Sequence, residues 1–139
     1  MNGLLLDTNA YAAIVDERPE ALALIFAAEK LLVSVVSIGE LLAGFALGKR
    51  EPQNRQLLEV FLATSGVQVL PILNSTATIY ASVSRVLRAV GRPIPTNDLW
   101  IAATAIENSL PLFTYDRHFS GISGVRVVSS LADFEGEPE

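Results

Sequence analysis

Four acidic residues stand where regular elements begin or end: Asp7, Glu40, Asp98 and Asp116. Carboxylates brought within a few ångströms of one another repel strongly and need protons, bases or a cation. No basic partner stands among the strand-end residues. An oxygen-only donor set, with no cysteine and a single histidine, suits Mg²⁺ or Mn²⁺. Such an ion binds phosphate, lowers the pKa of a bound water and neutralises charge on a leaving oxygen. The chemistry implied is hydrolysis of a phosphodiester. Each residue also has an ordinary structural reading. Asp7 could cap a helix, and Glu40 completes Ser37-x-x-Glu40, a capping box. Asp98 at a helix start gains about 0.3–1 kcal/mol from the macrodipole, and Asp116 could be a turn residue. Any one alone is unremarkable; four at one end of a sheet point to a site.

The elements that would position them follow from periodicity. Residues 4–6 are a short apolar run leading into Asp7, Thr8 and Asn9, which read as helix-capping residues. Further strands are expected at 31–33, 67–70, 112–114 and 125–128. Helices are expected from Ala10 to Val15, from Arg18 with Leu22, Ile25 and Phe26 on one face, from Ser37 to about Gly48, and from Pro52 to Gly66. A long helix over 75–90 closes at Gly91. Prolines 93 and 95 make a connector into a helix over 98–108. Strand and helix alternate throughout, which predicts a mostly parallel sheet with helices on both faces. In such sheets sites form beyond the carboxyl ends of the strands, where strand order reverses.

The chain has 139 residues, enough for one domain, read here as 1–134 with an acidic tail over 135–139. Half of it is hydrophobic, which implies a core between layers or an apolar face awaiting a partner. The absence of cysteine excludes disulfides and suits a reducing compartment. No basic leader or span of about 20 apolar residues appears, so no membrane is expected and the default compartment is cytoplasmic. The net charge of −5 argues weakly against nucleic acid. However, setting four site carboxylates aside leaves 11 acids against 10 bases, a nearly neutral remainder.

Four segments taken together resemble the motifs of the PIN-domain family, in particular the VapC-type toxins of toxin–antitoxin pairs. They are Leu4-Leu5-Leu6-Asp7-Thr8-Asn9; Ser37-Ile38-Gly39-Glu40 with Leu41 to Gly44; Thr96-Asn97-Asp98-Leu99-Trp100 with Ile101 to Ala103; and Leu112-Phe113-Thr114-Tyr115-Asp116-Arg117-His118-Phe119. The resemblance runs in order from Leu4 to about Val128. It implies a three-layer α/β/α fold with five parallel strands ordered 3-2-1-4-5. It also implies Mg²⁺- or Mn²⁺-dependent cleavage of RNA, with Asp7, Asp98 and Asp116 as metal ligands and Glu40 acting through a water or a second ion. Thr114 would support the site by its hydroxyl, Asn9 would hold the Asp7 loop, and Thr8 would serve as a cap. Partners implied are a small antitoxin and a second copy of the chain in a homodimer.

Other residues admit two readings. Thr96 could bond a metal water or cap a helix. Arg117 could reach a phosphate or lie solvated, and for His118 packing or solvation is favoured over general-base catalysis. Arg85, Arg88 and Arg92 fall on one helix face and form a possible phosphate track toward the proline connector, a solvated face being the commoner explanation. Lys49, Arg50 and Arg55 form a second basic group. The helices over 18–29 and 40–47 carry apolar stripes that could receive an antitoxin helix, or simply pack on the sheet. Rival enzymes fit less well. An Asp-x-Asp phosphatase has Asn9 against it, a receiver domain lacks a lysine after Lys49, and no phosphate-binding Gly-x-x-x-x-Gly-Lys loop occurs. A non-catalytic binding module of the same fold is the remaining alternative.

Overall fold

The computed structural model describes residues 2–136. Strands β1 (Gly3–Leu6), β2 (Lys30–Ser34), β3 (Val67–Leu70), β4 (Leu112–Phe113) and β5 (Val127–Val128) form one sheet in the order β3-β2-β1-β4-β5. Every pairing is parallel. Helices α1 (Thr8–Val15), α2 (Pro19–Ala27), α3 (Val35–Leu47), α4 (Glu51–Leu62), α5 (Asn74–Ala89), α6 (Thr96–Glu107) and α7 (Leu131–Glu135) cover it. The α/β class and the 3-2-1-4-5 order are as the sequence implied.

The central strand explains its own composition. Leu5 packs with Leu32, Leu70 and Leu112 beneath α5 and α6, whereas Leu4 and Leu6 join Val33, Phe113 and Val128 beneath α1 and α2. A strand covered on both faces has no polar side, so its sequence is a continuous apolar run rather than an alternation. From β1 the sheet grows toward β2 on one side and β4 on the other. The carboxyl ends of β1 and β4 are therefore neighbours at the point where strand order reverses, where a crevice opens.

Several local expectations need correction. Helix α3 begins at Val35, not Ser37, and its cap is Ser34, whose hydroxyl accepts from Val36 N at 3.1 Å. Ser37 lies inside the helix with its Oγ buried and unpartnered, so the Ser37–Glu40 capping box does not form. Helix α2 buries Ala21 and Leu24, while Phe26 is 84% exposed. The apolar stripe was read one face too far round, because a helix of nearly uniform hydrophobicity has no phase to read. Helix α7 carries no strong periodicity and was missed; it takes in Glu135, while residues 137–139 of the acidic tail lie outside the described residues. No helix among the described residues is long and apolar enough to cross a membrane.

Candidate active site

Asp7 is the first residue after β1 and caps α1. Its Oδ1 accepts from Thr8 N at 2.8 Å, and its Oδ2 accepts from the Thr114 hydroxyl at 2.8 Å. The capping role is real, yet the side chain is 5% exposed, far more buried than a cap requires. Its pKa is pushed up to about 6, chiefly by burial, with the hydrogen bonds from Thr114 and Thr8 opposing the rise and the negative charges of Asp98 and Glu40 adding to it. Asp7 therefore sits within electrostatic reach of two other carboxylates.

Thr114, just past β4, ties the two strand ends together. Its buried hydroxyl donates to Asp7 and accepts from Asp116 N at 3.0 Å, one bond toward β1 and one within its own loop. Asn9 completes this latch: its Oδ1 accepts from Tyr115 N at 3.1 Å, and its Nδ2 lies 3.4 Å from the Thr114 hydroxyl. Thr8 lies at the first position of α1 rather than at the cap. It links the next carboxylate, since its hydroxyl donates to Glu40 Oε1 at 3.1 Å while its backbone N–H serves Asp7. Glu40 thus reaches the site from the second turn of α3, one turn later than a capping-box residue would lie.

Asp98 lies in the first turn of α6 and Asp116 at the start of the loop after β4. The ring Nδ1 of His118 lies 2.7 Å from Asp98 Oδ2 and 3.2 Å from Asp116 Oδ1, bridging the two. Asp98 is pushed up chiefly by burial and also by the charge of Asp116, against the hydrogen bond of His118. That same bond, with the charge of both carboxylates, raises the imidazole above its ordinary value. A protonated His118 supplies part of the positive charge this pair demands. The contact was missed because packing or solvation was the expected role; the signal available was its spacing two residues beyond Asp116. Asp116 Oδ1 also accepts from His118 N at 2.9 Å and so starts the 3₁₀ turn Arg117–Phe119.

The four carboxylates form a coupled row: Glu40 with Asp7, Asp7 with Asp98, Asp98 with Asp116. Oxygen donors from Asp98 and Asp116 and a ring nitrogen from His118 lie within 4.8 Å of one another. A row in which burial and like charge raise Asp7 and Asp98, with bonds fixing each carboxylate, fits a hard divalent cation.

Not every predicted residue joins the row. Thr96 is the first residue of α6 and Pro95 its cap, so Thr96 is not the cap. Arg117 is exposed beside the site and Arg85 and Arg88 are exposed on α5, but Arg92 departs from their line. Helix α5 ends at Ala89, and Gly91, at φ +73°, reverses the chain with Arg92 N donating to Leu87 O and Gly91 N to Arg88 O. The Arg92 guanidinium then donates to Ser120 O at 3.2 Å.

The model of the PIN domain family matches residues 4–125. Ribonuclease VapC5 of Mycobacterium tuberculosis is 30% identical over 127 residues, covering 91% of this chain and 93% of its own. The plasmid stability protein StbB of Pseudomonas syringae is 32% identical over 134 residues, covering 91% and 96%. Among solved structures, VapBC2 from Rickettsia felis bound to a DNA fragment from its promoter superposes with a TM-score of 0.79 at 25% identity. It covers 91% of this chain and 97% of that one.

Proposed function

The chain belongs to the PIN-domain family, and from that premise we propose that it is a metal-dependent endoribonuclease, the toxin of a toxin–antitoxin pair. The observation that carries the reading is the row of four carboxylates at the carboxyl ends of β1 and β4, with Asp7 buried and pushed up to about 6. Burying a carboxylate among others costs stability, and it is rewarded only when a cation arrives.

Asp7, Asp98 and Asp116 would hold a Mg²⁺ or Mn²⁺ ion, which would acidify a water and neutralise charge on the leaving oxygen. Thr114 keeps Asp7 oriented and fixes the Asp116 backbone, so the two strand-end ligands stay in register. Glu40, held at Oε1 by the Thr8 hydroxyl, offers its other oxygen to orient and take a proton from an attacking water. His118 shares the Asp98 and Asp116 oxygens and would compete with a cation for them. The chain through α7 acts as one nuclease domain, a reading supported by Phe134 of α7 packing against the α1–α2 face of the core.

For partners, Tyr11, Val15, Leu41, Phe45 and Leu57 line an apolar groove between α1, α3 and α4. It suits an apolar segment of an antitoxin. This is not the pair of stripes expected from sequence, since α2 takes no part. A second apolar recess lined by Ile79, Val83, Val86 and Val90 of α5 suits a second copy. The cysteine-free composition and the likeness to VapC ribonucleases support action in the cytoplasm.

The test is cleavage of mixed cellular RNA by the wild type with Mn²⁺, with EDTA, and by Asp7→Asn. The expected result is cutting in the first case alone. Metal-independent cutting, or none on any RNA, overturns the reading. For the ligand set, equal calorimetric Mn²⁺ affinity in wild type and Asp98→Asn removes Asp98 from it.

A further inference from the structure

We infer that a groove on the outer face of α5, beside the stacked rings of Tyr80 and Trp100, carries a single strand of RNA to the carboxylate row. The inference rests on the ribonuclease reading and adds the path of the substrate. The two rings lie 4.1 Å apart with their planes 29° from parallel. Both are half-buried, so the pair is a platform fixed to α5 and α6 with part of its surface open. Tyr80 lines one open recess together with Arg85 and Arg88, and a second together with Arg88, Ile94 and Thr96. The recesses share Tyr80, Ser84 and Arg88 in their linings and so adjoin one another. Thr96, which lines the second recess, stands in the same first turn of α6 as Asp98.

Charge complementarity names the occupant. The chain carries a net charge of −5, yet Arg85 and Arg88 lie exposed one turn apart, with no ion pair or side-chain hydrogen bond recorded for either among the described residues. Two such guanidiniums match phosphates along a strand. Stacked aromatic rings beside them accept bases of any identity, because every base has a π-face. The bases of a duplex are already stacked on one another, which makes the fitting ligand single-stranded.

The test is fluorescence anisotropy of a labelled, mixed-sequence RNA strand across a salt series, with EDTA present so that nothing is cut. Replacing both arginines, Arg85→Gln with Arg88→Gln, is expected to flatten the slope of log Kd against log salt by about 1.4. Tyr80→Ala is expected to weaken binding about 5- to 150-fold with the slope unchanged, and Tyr80→Phe to bind like wild type. Unchanged affinity and slope in all variants overturns the inference, even if wild type cuts RNA with Mn²⁺. Loss of RNA binding that accompanies a change of mass by light scattering also overturns it and assigns the groove to a second copy. The expected dependences in a protein that cuts no RNA sustain the groove and sink the nuclease reading.

Discussion

Removing the charge of Asp7 should make the metal-free protein more stable while destroying its activity. With a pKa near 6 against an ordinary 3.8, the folded protein holds a proton on Asp7 that the unfolded chain has already released. The sign follows: the stability tied to this proton is fully present below about 3.8 and is lost as the pH rises through about 6. Above that range the charged carboxylate costs the fold about 3 kcal/mol. Asp7→Asn removes the charge but must invert one bond, because the Thr114 hydroxyl now donates to Oδ2 and would face an amide N–H. That inversion offsets about 1 kcal/mol, leaving a gain of about 2 kcal/mol. For a domain of this size the gain raises Tm by about 7 °C. Thermal unfolding followed by circular dichroism in EDTA checks it: the variant should lead near pH 7.5 and lose the whole lead, falling level with or slightly below wild type, near pH 4. Added Mn²⁺ should reverse the order, since only the wild type gains binding energy at the full ligand set. A variant no more stable than wild type near pH 7.5 in EDTA, or a lead independent of pH, refutes the reasoning.

The cap of α3 separates two serines that look alike in sequence. Ser34→Ala should cost about 0.5–2 kcal/mol in urea unfolding. Ser37→Ala should be neutral or stabilising, since it deletes a buried hydroxyl with no partner; a cost at Ser37 equal to that at Ser34 contradicts the observed cap. At the α5–α6 packing, Ser75 and Thr76 both donate to Glu107, which holds that carboxyl below its ordinary 4.5. Thr76 also accepts from Leu73 N, so Thr76→Val should cost about 1–3 kcal/mol. The stability tied to Glu107 is present above about 4.5 and lost as the pH falls below it, so Glu107→Gln should flatten the acid side of the unfolding profile; an unaltered profile argues against the clip.

What could be read before folding was whatever a single physical constraint dictates. The run at 4–6 had to be a doubly covered strand, and three carboxylates at element boundaries had to meet if the sheet was parallel. The errors share a cause. Ser37 reads as a helix start because a capping box is a pattern of spacing, while the true start is set by the end of β2, whose last paired residue is Ser34. Arg92 was placed with Arg85 and Arg88 by assuming the helix continued through it; the reversal at Gly91 instead sends it to Ser120. The bridging role of His118 was not legible because one of its two partners, Asp98, lies 20 residues upstream on another element.

Not all of the apolar side chains serve the core. Phe26 and Leu47 are 84% and 91% exposed, and Leu57 and Val60 are exposed on α4. The stripes over 18–29 and 40–47 admit two readings, core or partner, and these particular residues do not face the core. The surplus of hydrophobic residues in so short a chain therefore divides in two. One part fills both faces of the sheet, and the other stands exposed on α2, α3 and α4. The acidic site obeys the same division between what the fold needs and what function needs. Its central carboxylate is buried at a cost to the free chain, so binding a cation at the site relieves a destabilisation that the fold alone has no reason to carry.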